Sequence, residues 1–79
     1  MQKQITMPQL RDEMKSGVFC AWLKEEGQPY KKGEPIFEIE TDKVVNQITA
    51  SEDGVLLRKL VEEGDEITVN APVADVEAQ

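Results

Sequence analysis

Sliding the chain by 37 positions lays it on itself. Gly17-Val18 falls on Gly54-Val55, and Leu23-Lys24-Glu25-Glu26-Gly27 falls on Leu60-Val61-Glu62-Glu63-Gly64. Farther on, Tyr30 meets Ile67, Gly33 meets Asn70, Pro35-Ile36 meets Pro72-Val73, Ile39 meets Val76 and Glu40 meets Glu77. Units this short cannot bury an apolar face alone, so the two halves are expected to pack on each other about a pseudo-twofold axis. The exchange of Gly33 for Asn70 predicts a turn at both positions, because glycine and asparagine accept positive φ most readily.

The repeating unit reads as strands. Pro8, Gly17, Gly27, Gly33, Gly54 and Gly64 interrupt every stretch long enough to show a 3.6-residue period. Between them lie short β-rich runs: Gln4 to Met7, Val18 to Leu23, Ile36 to Glu40, Val44 to Thr49, Val55 to Leu60, Ile67 to Val69 and Val73 to Val76. So many strands in 79 residues predict a single all-β domain, a sandwich or barrel, over residues 1–79.

The same shortness argues against an autonomous enzyme, since a deep cleft would compete with the core for few apolar residues. Histidine is absent, which removes the commonest general base and zinc ligand. Nine basic against sixteen acidic residues give a net charge of −7, which repels phosphate backbones and anionic lipid, so neither nucleic acid nor membrane is expected as a partner. The lone Cys20 has no disulfide mate and sits in the apolar run Val18 to Leu23, where it reads as a small core hydrophobe. That run is too short to span a membrane, and the N-terminus lacks a signal peptide's basic and hydrophobic regions, so the expected location is cytoplasmic. Glu62, Glu63, Asp65 and Glu66 lack the spacing of a Ca²⁺ loop and read as a solvated turn; no metal site is expected.

The halves are joined by Glu40-Thr41-Asp42-Lys43-Val44, between a strand ending at Glu40 and one starting at Val44. Lys43 is thereby placed at a hairpin tip, its amine held in water at a fixed point by packed strands. A catalytic lysine needs burial or a cationic neighbour to become a free amine, whereas Asp42 favours the ammonium. The geometry suits being modified better than it suits catalysis.

These five residues resemble the attachment motif of lipoyl domains, members of the biotin/lipoyl attachment family, in which the lysine of Asp-Lys carries lipoic acid in amide linkage. Met7-Pro8-Gln9-Leu10 is similar to the family's opening Met-Pro-x-Leu, Gly17 to its next glycine, and Trp22 to Gly27 to its Trp-x-x-x-x-Gly stretch. Lys32-Gly33-Glu34-Pro35 resembles the turn that follows, and Gly54 and Val61-Glu62-Glu63-Gly64-Asp65 resemble the second half. The resemblance implies a flattened barrel or sandwich of two four-stranded antiparallel sheets with quasi-twofold symmetry. It also implies lipoate on Lys43, with Glu40, Thr41, Asp42 and Val44 supporting the attachment turn. Such domains usually have glycine after Leu10; here Arg11 opens the charged segment Arg11-Asp12-Glu13-Met14-Lys15, a loop that in the family lies near the lipoyl-lysine and helps the decarboxylase partner recognise its own domain. Asn70 replaces a common glycine, as the turn argument already allows.

The implied role is a swinging arm in a 2-oxo acid dehydrogenase complex, as part of the dihydrolipoamide acyltransferase component and not as an enzyme by itself. A lipoate ligase or lipoyl transferase loads the lysine. A thiamin diphosphate-dependent 2-oxo acid decarboxylase reductively acylates the dithiolane, the acyltransferase catalytic domain passes the acyl group to coenzyme A, and dihydrolipoyl dehydrogenase reoxidises the dithiol. The opening motif leans slightly toward pyruvate- or acetoin-type domains, and either an excised domain or a free-standing carrier fits. A biotinyl carrier of a carboxylase is the nearest rival, but its motif has methionine on both sides of the lysine, where Asp42 and Val44 stand here. An unmodified lipoyl-like adaptor barrel typically has a helical insertion between its halves, where this chain has a bare turn. A self-contained hydrolase or transferase using Lys43 with Asp42 or Glu40 is disfavoured by the missing histidine.

Overall fold

Glycine and asparagine end a strand without a steric clash where the backbone must turn left-handed. The computed structural model, which describes residues 1–79, turns the chain at the residues the repeat singles out. Gly27 and Gly64 take φ of 87° and 94°, and Gly33 and Asn70 take 89° and 74°. Between the turns run β1 (Gln2–Thr6), β2 (Ser16–Trp22), β3 (Pro29–Tyr30), β4 (Pro35–Thr41), β5 (Val44–Thr49), β6 (Gly54–Lys59), β7 (Glu66–Thr68) and β8 (Pro72–Ala78). Seven of these match the expected strands, with ends displaced by at most two residues. The eighth, β3, is two residues long and too short to show an alternation. Its signal lay in the alignment of Tyr30 with Ile67 of β7.

The strands form two four-stranded antiparallel sheets, ordered β1-β8-β6-β3 and β5-β4-β2-β7. A shift of 37 residues carries β2 onto β6, β3 onto β7 and β4 onto β8, while β5 stands in one sheet where β1 stands in the other. Irregularities repeat as well: the register shifts at Cys20 and Leu57, and again at Ile36 and Val73. The halves also exchange hydrogen bonds, Gly64 N donating to Phe19 O at 2.8 Å and Gly27 N to Leu56 O at 2.6 Å. No strand pairing joins one sheet to the other, so the fold is a flattened sandwich and not a closed barrel.

Burial follows the same symmetry. The 14 buried residues fall into pairs: Gly17 with Gly54, Phe19 with Leu56, Tyr30 with Ile67, Ile36 with Val73, Phe37 with Ala74, Ile39 with Val76, and Met7 with Ala50 just past β1 and β5. Neither half holds a core of its own. Bulk in one half is balanced by small residues in the other: Phe19 stacks on Phe37 with ring centroids 5.4 Å apart, and their mates are Leu56 and Ala74. Trp22 closes over both rings, and its indole donates to Val61 O at 3.1 Å.

Cys20 is not the core hydrophobe expected. It occupies the β2 bulge, where the extra residue is left out of the regular in-out alternation, and is only half-buried. Its thiol pKa is raised above the usual 9.0 by burial and then by the carboxylates of Glu40, Glu38 and Glu63.

Two glycines distinguish strain from space. A Cβ on Gly64 would meet nothing within 4 Å, so Gly64→Ala costs only the left-handed backbone, about 1–2 kcal/mol. A Cβ on Gly54 would lie 2.6 Å from Tyr30 Oη and 2.8 Å from Glu77 O, so Gly54→Ala is expected to lower the thermal midpoint further; the opposite ranking by circular dichroism would refute the close-approach assignment. Tyr30, 5% exposed, has its pKa raised from 10.0 by burial and then by Glu52. A phenol whose folded pKa lies above the unfolded one contributes stability that is complete below about pH 10 and lost as pH rises beyond it. Tyr30→Phe is therefore expected to flatten the alkaline fall in stability seen in denaturant titrations, and an unchanged alkaline slope would count against this origin.

Candidate functional site

The hairpin between the repeats is as tight as a hairpin can be. Thr41 closes β4 and pairs with Val44 at the start of β5, leaving Asp42 and Lys43 as a two-residue loop. Two-residue loops match strand twist as type I′ turns, with positive φ at both central residues and usually Asn-Gly or Asp-Gly, or as type II′ turns, with positive φ at the first. Asp42 and Lys43 adopt φ of 49° and 66°. Aspartate is at home there, but a lysine is not, and left-handed backbone at a residue other than glycine is a strain that the surroundings must hold in place.

Two side chains brace this turn. Arg11 Nη1 forms an ion pair with Asp42 Oδ2, and Arg11 Nη2 lies 3.5 Å from Thr41 Oγ1. From the other strand, Asn46 Nδ2 donates to Thr41 Oγ1 at 3.4 Å and to Val44 O at 3.2 Å. Lys43 itself is exposed and makes no hydrogen bond or ion pair, while Val44 and Val45 beside it are 53% and 54% exposed. Its amine is thus reachable, on a backbone held at a fixed point, which fits enzymatic modification.

The segment expected to be a recognition loop is folded against the same turn. Met14 N donates to Arg11 O at 3.2 Å, Leu10 N to Met14 Sδ at 3.3 Å, and Gln9 Nε2 to Asp12 O at 3.0 Å. Met14 packs against the core in the space that glycine at 17 leaves open: a Cβ there would meet Met14 Cε at 3.3 Å. Loop, β2 and hairpin together line a groove of about 740 Å³, which includes Arg11, Asp12, Glu13, Met14 and Lys15 on one side and Glu40, Thr41 and Asp42 on the other. Lys43 and Val44 stand at its end, outside the lining. The family resemblance implies that this loop lies near Lys43, and the structure brings them together; the Arg11 to Asp42 contact and the role of Asn46 had no counterpart among the expectations. A polar residue at an inward position of β5, between Val44 and Ile48, was the available sign of Asn46.

The acidic turn is held by its own side chains and by β2. Asp65 Oδ2 accepts from Glu62 N at 2.9 Å, as Gln28 Oε1 does from Glu25 N in the other half, and Glu66 accepts from Ser16 Oγ at 2.9 Å.

Comparison with known proteins adds independent support. The model of the family described as "Biotin-requiring enzyme" matches residues 3–76. The chain is 38% identical over 73 residues to a dihydrolipoyllysine-residue succinyltransferase component of a 2-oxoglutarate dehydrogenase complex from Staphylococcus saprophyticus, covering 92% of this chain and 17% of that protein. It is 46% identical over 71 residues to the mitochondrial dihydrolipoyllysine-residue acetyltransferase component of the pyruvate dehydrogenase complex from Saccharomyces cerevisiae, covering 89% and 15%. The chain therefore spans less than a fifth of the length of these curated relatives, and they include both 2-oxoglutarate and pyruvate systems. Among solved structures, the lipoyl domain of the 2-oxoglutarate dehydrogenase complex from Azotobacter vinelandii superposes with a TM-score of 0.75 at 32% identity, covering 92% of each chain.

The strained turn makes one outcome counterintuitive. Lys43→Gly places glycine where left-handed backbone is required, and is expected to leave the thermal midpoint unchanged or raise it, by up to about 1 kcal/mol of stability. A clear loss of stability would show that the lysine side chain supports the fold.

Proposed function

Since the chain belongs to the biotin/lipoyl attachment family, as a lipoyl domain like those of 2-oxo acid dehydrogenase acyltransferase components, we propose that Lys43 is the residue that carries lipoate, as an amide on Nζ. The observation that carries this reading is the turn itself: Lys43 stands exposed and without a side-chain partner at the tip of a two-residue left-handed turn that Arg11 and Asn46 brace from either side. Lipoate supplies a dithiolane able to accept an acyl group and two electrons. Everything else the chain contributes is position and recognition, the usual division of labour with a carrier cofactor.

The partners follow from that chemistry: a lipoate ligase or lipoyl transferase, a thiamin diphosphate-dependent 2-oxo acid decarboxylase, the acyltransferase catalytic domain and dihydrolipoyl dehydrogenase. Tethering turns each encounter into an effectively intramolecular one, at concentrations of about millimolar when the linker spans the sites. Catalysis belongs to those partners, and this domain is not an enzyme on its own. The groove beside the turn, with Arg11 to Lys15 along one wall, is the surface by which a decarboxylase would distinguish this domain from others.

Incubating the purified chain with ATP, lipoate and a lipoate ligase is expected to add one lipoyl group, mapped by peptide mass to Lys43 and absent in Lys43→Arg, which should fold normally. Biotin and a biotin ligase, run in parallel, should leave the mass unchanged. Biotinylation in place of lipoylation would move the domain to the carboxylases.

A further inference from the structure

We propose that Arg11 is a positioning residue for Lys43: its guanidinium ties the attachment turn to the β1–β2 loop and so sets the direction in which the lysine leaves the domain. The proposal rests on the carrier reading only in taking Lys43 as the modified residue. Three observations carry it. First, the turn needs outside support, because both of its central residues are left-handed and neither is glycine. Second, Arg11 reaches two oxygens on consecutive residues, the carboxylate of Asp42 and the hydroxyl of Thr41, while Asn46 holds the same hydroxyl and the carbonyl of Val44 from the opposite strand. Every turn residue except Lys43 is braced. Third, Arg11 is presented from a fixed base: its carbonyl accepts from Met14 N, and Met14 is packed against the core beside Gly17. The path from the core to the lysine therefore runs through Met14, Arg11 and Asp42.

A half-exposed ion pair adds little to global stability. Its effect is local, because a left-handed turn can open without unfolding either sheet. An enzyme that must bind the turn then faces a disordered target and loses affinity to the cost of ordering it. The planar fork matters as well as the charge, since Arg11 meets the two oxygens through two different nitrogens, whereas an ammonium's three donors share one.

The test compares the wild-type chain with Arg11→Ala and Arg11→Lys. In Arg11→Ala, amide hydrogen exchange at Val44, which pairs with Thr41 at the mouth of the turn, is expected to quicken by roughly three- to tenfold while the thermal midpoint stays within a few degrees. With purified lipoate ligase, ATP and lipoate, its KM should rise by a similar factor at unchanged kcat, and Arg11→Lys should recover only part of the loss. Wild-type exchange at the turn in Arg11→Ala would overturn the clamp. Faster exchange with an unchanged KM would overturn its part in presenting the lysine, and exchange quickened throughout the chain with a fallen midpoint would make Arg11 merely structural. A wild-type chain that the ligase does not modify would defeat the carrier reading, and the exchange comparison would still decide the clamp.

Discussion

Neither half of this chain can bury its own apolar side chains, and the fold depends on how the two resolve that together. Each buried residue has a mate in the other half, and Phe19 against Leu56 or Phe37 against Ala74 shows the division of volume between them. The pairing is hydrogen-bonded too, since Gly27 and Gly64 each reach across to the backbone beneath the opposite core residue. Such a core is indivisible, so a local defect such as a side chain at position 54 should be felt by both sheets.

Symmetry also explains where the turn at Asp42 and Lys43 lies. In one sheet Glu40 pairs with Val45, and the mates of these positions in the other sheet pair Glu77 with Gln2. At the first pole the chain passes straight from strand to strand through Asp42 and Lys43. At the second, the Met1 amine lies 3.2 Å from Glu77 and Ala78 N donates to Met1 O at 2.9 Å. The single place where the repeat is covalently closed is thus the place where a side chain is presented at a strained, fixed tip.

Much of this was legible in the residues. The 37-residue offset, the glycines at positive φ and the alternation within the longer strands are local signals, and they led to the architecture and to Lys43. What stayed hidden depends on topology. A two-residue strand such as β3 has no period, and a bulge at Cys20 is set by the partner strand's register, not by the cysteine. Arg11 and Asp42 are far apart in the chain and meet only because the β1–β2 loop folds over the end of β4, with glycine at 17 making room for Met14. Lys43 was therefore singled out by its motif, whereas the groups that brace its turn were not.

The most direct test of the account is the state of Lys43 in the chain isolated from the cells that make it. Peptide mapping by mass spectrometry is predicted to find a lipoyl amide on Lys43 and on no other lysine. An unmodified Lys43 in cells that lipoylate their other carrier domains, or biotin at that position, would contradict it.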